Sequence, residues 1–439
     1  MKLTTRICAA ALSGAALAAS LAGCSSPAAS GPEYFPLPDG VPEDIIQQTA
    51  GVPASEPLLT VDGAGVPAEE LLYWVSYSAD QYAQYGMLDW SMDMGNGSTM
   101  ADYILDTAIQ NATLYQVVDN HAGEMDAGWS ENNEAEYQSQ LDNMLYTLGV
   151  QTGLVSDGSG GDSGDGTSSN TVPPEAADAV HAEYVRFLAY MGLSQQGFFH
   201  LNQTSFLYNN LLTQVQSDDS ITADVLDEAG VYHAKHILIQ AEPVTDADGN
   251  VTDDGMAAAQ TRAQEIYDQL MSAEDPLTLF DELMASESQD PGSQSQPDGY
   301  TFGPGEMVTE FEEGTAALDI NEIGAPVQSD LGYHIILRLD ADNDDGRAKY
   351  LDVLVNQWMS EAQVEQSEAL QALDLQAFYE ALGELRTDLD EQAAAAQEEA
   401  AAETAPAETT PAESAPAESS APAETAPAES APAESAPAA

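Results

Sequence analysis

The sequence predicts an α+β protein in which a small mixed unit interrupts a mainly helical body. Apolar residues recur at helical spacing through much of residues 55–228 and again through 342–390. Between these stretches, residues 229–341 predict short strands that alternate with short helices. Both chain ends have compositions that cannot supply a hydrophobic core. We therefore expect the unit at 229–341 to be inserted between the N-terminal and C-terminal parts of one helical body.

The first residues predict a secretion signal over 1–23. Lys2 and Arg6 precede an apolar run, and the run closes with Leu-Ala-Gly directly before Cys24. This ending resembles the lipobox of bacterial lipoproteins, which implies that Cys24 becomes the lipidated, palmitate-bearing first residue of the mature chain. An ordinary cleaved signal with a chance cysteine is the alternative. Residues 24–54 begin with Ser, Pro and Ala, and we expect them to form a flexible tether.

The composition restricts the possible partners and cross-links. The 439 residues include 75 acidic and 9 basic side chains, which gives a formal net charge of −66. Such a chain lacks the clustered Lys and Arg that neutralise phosphates, so we exclude a nucleic-acid partner. Its 2 cysteines are Cys8 and Cys24, and the first lies within the signal, so the mature chain has no disulfide framework. The folded parts must depend on burial of the 43% hydrophobic residues.

The N-terminal body, 55–228, is predicted to be mainly helical. A short strand at 58–63 should be followed by a helix that begins near Pro67. Apolar periodicity predicts further helices over 103–118, 137–148, 177–190 and 195–215. The Gly-, Ser- and Asp-rich stretch at 156–170 offers almost nothing to bury, and we expect a mobile loop there.

From residue 231 the apolar residues no longer recur only at helical spacing. This change in spacing predicts the elements of the mixed unit and of the chain after it. The unit should contain strands at 232–239 and 332–339 and helices at 257–272, 277–286 and 310–318. Helices at 348–364 and 375–385 should pack back on the N-terminal body. From 391 to 439 the chain consists almost entirely of Ala, Glu, Pro, Ser and Thr, with repeated Ala-Pro-Ala-Glu units, which predicts a disordered, solvated tail.

Four segments in fixed order carry a resemblance to a known family. They are Ala-Lys-His-Ile-Leu at 234–238, Ser-Gln-Asp-Pro-Gly-Ser at 288–293, the segment from Phe to Glu at 302–312, and Pro-Val-Gln-Ser-Asp-Leu-Gly-Tyr-His-Ile-Ile at 326–336. Over 233–340 the chain resembles the parvulin-type peptidyl-prolyl isomerases, within the PrsA-like and SurA-like foldase lipoproteins. The resemblance implies a parvulin-like α+β domain inserted in a mainly helical, chaperone-like body.

The resemblance also implies roles for seven residues of this chain. His236 and His334 correspond to a buried hydrogen-bonded network under the active site, Ser329 to a hydroxyl of that network, and Asp290 to the position that faces the substrate carbonyl. The apolar pocket that holds the proline ring corresponds to three further residues: Phe302, Met307 and Phe311. From the residues alone, each histidine could instead be a satisfied core group, and Asp290 could cap the following turn.

Met307 and Phe311, spaced four residues apart, could equally be plain core packing.

Six aromatic side chains of the N-terminal body have two possible interpretations. They could line a cradle for unfolded chains or pack into the core, and core packing is favoured because aromatic stripes at helical spacing usually face inward. They are Tyr73, Trp74, Tyr77, Tyr82, Tyr85 and Trp90.

Two sequence patterns resemble metal-binding sites, but neither has the ligands that a metal ion needs. His233 and His236 lie three residues apart in a predicted strand, so they point to opposite faces and cannot share an ion. The acidic stretch at 246–250 is like the start of a calcium loop, but its sixth position is Val251 where glycine is needed and its twelfth is Ala257 where a glutamate ligand is needed, and a hairpin turn fits better. We predict neither metal nor cofactor.

The sequence departs from the family pattern in two places. Residues 297–301 replace the usual Gly-rich stretch before Phe302. The loop after the first strand is acidic, with no basic residue until Arg262, so we predict no preference for phosphoserine before proline.

The function that the resemblance implies is rotation of X-Pro bonds without a covalent intermediate, in unfolded or partly folded exported polypeptides, on the outer face of the bacterial cytoplasmic membrane. A catalytically idle parvulin-fold chaperone or binding lipoprotein is the main alternative, and a solute-binding lipoprotein is a weaker one because only one short α+β unit is present. The oligomeric state is left open, with a dimer as one option.

Overall fold

The computed structural model of the chain describes residues 34–95, 97–156 and 171–403, with side chains to 395. The predicted signal at 1–23, Cys24, nearly all of the loop at 156–170 and the tail beyond 403 lie outside the described residues. The helices are α1 (Ile45–Ala50), α2 (Ala68–Ala83), α3 (Met100–Glu124), α4 (Glu131–Thr152), α5 (Ala177–Tyr190), α6 (Gln195–Ser217), α7 (Ala223–Glu228), α8 (Met256–Ser272), α9 (Pro276–Glu287), α10 (Thr309–Ala316), α11 (Asp344–Glu361), α12 (Glu368–Gln371) and α13 (Leu375–Glu403). The strands are β1 (Pro57–Val61), β2 (Ala64–Pro67), β3 (Tyr232–Gln240), β4 (Val244–Thr245), β5 (Val251–Asp253), β6 (Tyr300–Phe302), β7 (Val327–Ser329), β8 (Gly332–Leu339) and β9 (Val364–Gln366).

The helical body contains residues from both sides of the mixed unit. Strand β9 pairs antiparallel with β1, with Leu59 opposite Gln366, and β1 pairs with β2. Helix α13 contributes Phe378 and Leu382 to the core that α2 and α3 build. The N-terminal and C-terminal parts therefore form one body, and the predicted insertion of an α+β domain into a mainly helical protein is confirmed.

Local sequence signals account for the long helices. Thr99 begins α3 with a capping box, in which its side chain accepts the Asp102 N–H and the Asp102 carboxylate accepts the Thr99 N–H. Ser130 and Asn133 form the same arrangement at the start of α4. Helix α4 ends at Gly153, whose φ of 79° is available to glycine without strain.

The mixed unit is an antiparallel sheet with strand order β6-β3-β8-β7 and helices on both faces. Ile237 and Ile335 face α8 and α9 and pack with Phe280 in one core cluster. On the other face, Ala234 and Ile336 pack with side chains from β6 and α10. Strand β8 is covered on both sides and is almost continuously apolar, so His334 and Arg338 are exceptions in it, whereas β3 is apolar mainly at Ile237, Leu238 and Ile239.

Two basic side chains, Arg338 and Lys349, connect the mixed unit to the helical body, and a third, Arg347, joins the N-terminal and C-terminal parts of that body. Arg338, in β8, pairs with Asp227 of α7. Arg347, in α11, donates to the carbonyl groups of Val215, Gln216, Asp218 and Ile221, which are the last turn of α6 and the segment after it. Lys349, also in α11, donates to Glu306 next to the short helix α10.

Two sequence predictions at the C-terminal side need correction. Val364 does not end a helix; it begins β9, because this short segment completes the sheet edge at β1. Helix α13 continues to Glu403, although disorder was predicted from Glu391. Residues 391–403 contain Ala, Glu and Gln without proline, and this composition favours helix as strongly as the preceding turns do.

The aromatic residues of the N-terminal body mostly pack inward. Trp74 is buried, and Tyr73, Tyr77, Tyr82 and Trp90 are partly buried against the same core. Tyr85 differs, because 71% of it is exposed. Core packing is thus the better account for five of the six. No helix in the described ranges is long and apolar enough to cross a membrane.

Candidate active site

Two histidines of the mixed unit meet across neighbouring strands. In the register of β3 and β8, His334 lies opposite Leu238, which is two residues from His236 and on the same face of the sheet. Such diagonal positions are close enough for aromatic side chains to touch. The Nδ1 atoms of His236 and His334 are 3.1 Å apart, and their ring planes are inclined by 23°. The predicted histidine pair is therefore present in the structure.

Ser329 continues this contact on the far side of His334. Its strand, β7, pairs with β8 so that Ser329 lies opposite Gly332, again a diagonal neighbour of the histidine. The Oγ atom of Ser329 is 2.8 Å from Nε2 of His334 and accepts the backbone N–H of Leu331 at 3.2 Å. The hydroxyl proton is consequently available to the imidazole.

Asp290 approaches from a segment that runs along the open edge of β3. The Gln289 N–H donates to the Leu238 carbonyl at 2.8 Å, and the Leu238 N–H donates to Ser288 Oγ at 3.2 Å. These bonds bring Asp290 Oδ2 to 3.1 Å from Nε2 of His236, although that N–H is not well aligned with the carboxylate. The hydroxyl of Tyr300 donates to the same oxygen at 2.6 Å.

An ionised carboxylate at Asp290 favours one consistent set of donors and acceptors among these groups. In this set, Ser329 Oγ accepts the Leu331 N–H and donates its own proton to Nε2 of His334. His334 then carries its proton on Nδ1 and donates it to Nδ1 of His236. His236 carries its proton on Nε2, the atom that faces Asp290. This set uses two neutral imidazoles and one ionised carboxylate, and the His236 Nε2–H contacts Asp290 without a well-aligned hydrogen bond.

The protonation states agree with this arrangement. Burial lowers the pKa of His334 to about 4, and the neighbouring His236 lowers it further than Asp290 raises it. Burial also lowers the pKa of His236, against the opposing effect of Asp290. Burial raises the pKa of Asp290, but the hydrogen bond from Tyr300, the contact with His236 and the N–H of Gly292 together bring it below its usual value. Burial and Asp290 raise the pKa of Tyr300, which stays protonated.

A small cavity of about 220 Å³ opens above the histidines. Phe311 packs edge-on against His236, with ring centroids 5.0 Å apart. The backbone N–H of Met307 donates to the Glu312 carboxylate at 2.9 Å, which fixes the start of α10 beside the cavity. The cavity is lined mainly by apolar side chains together with a few polar ones. The lining residues are His236, Leu238, Asp290, Tyr300, Met307, Val308, Phe311, Leu331 and His334.

The position of Phe302 differs from the sequence expectation. Phe302 is buried behind Phe311, with ring centroids 5.6 Å apart, and does not line the cavity. The alternation of a strand predicts which sheet face a side chain occupies, but α10 folds over that face and covers Phe302. Met307 and Phe311 do line the cavity.

The sequence reasoning missed Tyr300. It lies in the segment at 297–301 that departs from the family pattern, yet its side chain lines the cavity and holds Asp290. A signal was available, because Tyr300 is two residues before Phe302 in a strand and must share its face.

The alternative structural interpretations have mixed outcomes. Asp290 also caps a turn, since its Oδ1 accepts the Gly292 N–H at 3.2 Å. His233 contacts the carbonyl of Asp298 at 2.9 Å and takes no part in the histidine contact. Asp246 accepts the N–H groups of Asp248 and Asn250 in the turn between β4 and β5, so the acidic stretch forms a hairpin turn. Within the described residues, no cluster of His, Cys, Asp or Glu could hold a metal ion.

A larger open depression of about 430 Å³ lies next to Lys235. Lys235 pairs with Asp281 at 2.8 Å and points away from His236, its neighbour in the strand. The other lining residues include no titratable group except Asp298. The depression brings no reactive groups together, and the smaller cavity remains the candidate site.

Comparison with known proteins identifies the mixed unit. A family model described as a PPIC-type PPIase domain, or rotamase, matches residues 236–340. The foldase protein PrsA of Geobacillus kaustophilus is 44% identical over 81 residues, which are 18% of this chain and 27% of that protein. The chaperone SurA of Nitrosospira multiformis is 31% identical over 134 residues, which are 30% of this chain and 27% of that protein. The chain thus spans 27% of the length of these two curated relatives.

Solved structures give similar matches. The crystal structure of PrsA from Bacillus anthracis is 21% identical, and the match covers 50% of this chain and 81% of that one, with a TM-score of 0.19. The solution structure of NmPin, the parvuline of Nitrosopumilus maritimus, is 28% identical and covers 25% of this chain and 95% of that one, with a TM-score of 0.18.

The matched segment starts at His236 and contains Asp290, Ser329 and His334, the groups that meet beneath the cavity. Residues 236–340 of this chain are therefore a PPIC-type peptidyl-prolyl isomerase domain, a member of the parvulin family.

Proposed function

We propose that the chain is a peptidyl-prolyl cis-trans isomerase and a folding factor for exported polypeptides. The observation that supports this proposal best is the continuous set of contacts from Ser329 through His334 and His236 to Asp290, beneath a mainly apolar cavity. A core histidine needs only one satisfied partner, whereas this set aligns four polar groups and presents the last of them to the cavity.

The chemistry requires a weaker amide resonance and no covalent bond to the protein. Rotation about an X-Pro bond has a barrier of about 18–20 kcal/mol, because the planar amide loses resonance as it twists. The planar amide is also more dipolar than the twisted one. A cavity that removes water from the carbonyl therefore disfavours the planar form more than the twisted form, and the barrier falls.

The cavity residues can divide this work between them. Met307 and Phe311 offer an apolar surface of the size that a proline ring needs. Asp290, held ionised by Tyr300, would lie beside the carbonyl oxygen of the residue before proline. That oxygen carries more negative charge in the planar amide, so a fixed carboxylate favours the twisted state. The neutral histidines hold the carboxylate without neutralising it.

The site is suited to substrates without a phosphate. No Lys or Arg is among the residues that line the cavity, and Asp290 adds a negative charge. A phosphoserine before proline would meet no cationic donor and would be repelled. The acidic residues of the hairpin β4–β5 would also repel a phosphate group.

The helical body and the predicted anchor support the wider role. Foldase and chaperone are the names of the two curated relatives, and the sequence of residues 1–24 predicts export with lipidation at Cys24. An isomerase fixed to the outer face of the membrane would meet newly exported chains, whose uncatalysed prolyl isomerisation takes tens to hundreds of seconds.

A refolding assay tests the activity. The purified chain is added to a model protein whose refolding is limited by one prolyl bond, and the slow phase is followed by fluorescence. We expect acceleration by the wild type and by Met271→Ala, which changes a surface methionine of α8 that does not line the cavity. The double variant Asp290→Ala, Met307→Ala should lose the acceleration. A wild type that leaves the slow phase unchanged would disprove the isomerase proposal and leave an idle parvulin fold with a binding role.

A further inference from the structure

The loop between α2 and α3 has an ordered path with two opposite sides. Trp90 packs on Tyr379 with ring centroids 5.7 Å apart, and Leu88 is partly buried in the same core. Backbone bonds join Met94 to Ser98 at 3.0 Å and Met100 to Met92 at 2.9 Å. The inward side of the loop therefore anchors it and sets the direction of the remaining side chains.

The outward side of this loop and the first turn of α3 carry large apolar side chains that are 39–71% exposed. Tyr82 connects the two parts, since its ring lies 6.3 Å from that of Tyr103. We call this surface the methionine–tyrosine patch: Tyr85, Met87, Met92, Met94 and Tyr103. Methionine side chains are flexible and polarisable, and they adapt to partners of different shape. Clustered exposure of such residues on a protein surface indicates an interaction site.

The surface around the patch is acidic, and no Lys or Arg lies close to the patch in the sequence. Asp89, Asp93, Asp102 and Asp106 are exposed around it. The sequence has no Lys or Arg between Arg6 and Arg186. A negative surface of this kind attracts cationic partners and repels anionic ones.

The remaining basic residues do not change this balance. Each basic side chain in the described part of the chain is paired with a carboxylate of the same chain: Arg186, Lys235, Arg262, Arg338, Arg347, Lys349 and Arg386. A second copy of this chain, with a net charge of −66, is therefore a poor occupant of the patch, and so is an anionic lipid surface.

We propose that the methionine–tyrosine patch binds extended segments of unfolded polypeptides that carry both apolar and cationic side chains. This proposal rests on the proposed role as a folding factor. It specifies which segments of an unfolded polypeptide the helical body binds. Apolar side chains of the segment contact the methionines, and its Lys and Arg side chains pair with the surrounding carboxylates. The patch lies outside residues 236–340, so it binds segments that need not contain proline.

Binding of two matched peptides tests the proposal. The probe is a fluorescent, proline-free peptide of Leu, Ser and Lys, and its control has Glu in place of every Lys. Fluorescence anisotropy with the full chain should show binding of the Lys peptide that weakens as salt is raised, and affinity for the Glu peptide that is lower by at least roughly tenfold. Equal affinity for both peptides would overturn the role of charge.

Variants locate the binding site. The quadruple change Tyr85→Ser, Met87→Ser, Met92→Ser, Met94→Ser should weaken the Lys peptide by roughly tenfold or more. The control is Val244→Ser, Val251→Ser, which removes equally exposed apolar side chains from the hairpin β4–β5 and should leave binding unchanged. Unchanged binding by the quadruple variant, or an equal loss in the control, would overturn the proposal.

Methionine oxidation tests the same contact without changing the chain. The bound Lys peptide should slow peroxide oxidation of Met87, Met92 and Met94, while Met271, which is 47% exposed on α8, reacts as before. Slower oxidation without any peptide at high protein concentration would identify a second copy as the occupant and contradict the proposal.

Isomerase activity on a short prolyl peptide, measured on the same samples, separates the two proposals. We expect the quadruple variant to keep wild-type activity. A chain that binds the Lys peptide but isomerises nothing would refute the isomerase proposal alone, whereas an active chain that does not bind the peptide would refute the patch alone.

Discussion

The Nδ1 atoms of His236 and His334 face each other at 3.1 Å, so one shared proton joins them. A second proton on His236 would place two N–H groups against each other in a buried position, and a second proton on His334 would lie on Nε2 and displace the proton that Ser329 donates there. The structure therefore depends on both imidazoles being neutral, and the pKa of each is lowered by burial in the direction that this requires.

The histidine pair gives a prediction for the pH dependence of activity. With the pKa of His334 at about 4 and that of His236 also lowered, kcat/KM should be flat through neutral pH and fall only in acid. The measurement is a pH profile with a short prolyl peptide. A fall centred on the ordinary histidine value of 6.5 would contradict the buried pair.

The free energy of unfolding should also depend on the protonation of His334. Because the folded-state pKa of His334 lies below its unfolded value of 6.5, the unfolded chain binds more protons between about 4 and 6.5. This contribution to the free energy of unfolding is complete above pH 6.5 and is lost as the pH falls towards 4. Urea unfolding of the wild type should show it, and His334→Gln should have a smaller slope across that window. An identical slope in both proteins would refute the assignment.

Tyr300→Phe tests the role that the sequence reasoning missed. The change removes one of the donors that lower the pKa of Asp290 and leaves the ring in place. Activity at neutral pH should change little, while the acid limb of the profile moves to higher pH. Asp290→Asn should instead lower kcat/KM by roughly tenfold at every pH, which corresponds to about 1.4 kcal/mol of transition-state stabilisation.

Met307 and Phe302 should separate substrate contact from structural support. Met307→Ala is expected to raise KM or lower kcat/KM by roughly tenfold with little loss of stability, because Met307 is partly exposed at the cavity. Phe302→Leu should cost about 1 kcal/mol of unfolding free energy and affect KM only weakly, because Phe302 is buried behind Phe311. If Phe302→Leu changed KM and Met307→Ala changed only stability, Phe302 and not Met307 would contact the substrate.

Lys349 tests whether the helical body influences the cavity. Its ammonium group donates to Glu306 Oε1 at 2.9 Å, and Glu306 Oε2 accepts the Gly303 N–H at 3.0 Å, directly before Met307. Lys349→Met should loosen this loop and raise KM several-fold without a large change in Tm, because the pair is partly solvated. Lys349→Arg should restore the KM. An unchanged KM in Lys349→Met would show that the loop holds its shape without α11.

The sequence predicted the elements of the mixed unit well because their signals are local. Strand β8 of the mixed unit has the predicted bounds, 332–339, and in the helical body α5 likewise has its predicted bounds, 177–190. The motif segments also identified the four polar groups that meet in the site, since strand alternation places His236 and His334 on one face once β3 and β8 pair.

What the sequence could not predict depends on contacts between distant segments. The depth of Phe302 is set by α10, which covers it. The short strand β9 exists because β1 offers an edge about 300 residues earlier in the chain. The end of α13 was missed because residues 391–403 share the Ala and Glu content of the following tail and differ from it by lacking proline.

The pairing of β9 with β1 also determines the order in which the chain can assemble. During synthesis, β1 emerges long before Gln366, its partner opposite Leu59, and α13 comes later still. The isomerase domain between them has its own hydrophobic cluster and is complete once β8 has emerged. The helical body therefore stays unfinished until the segment that follows the mixed unit has been made.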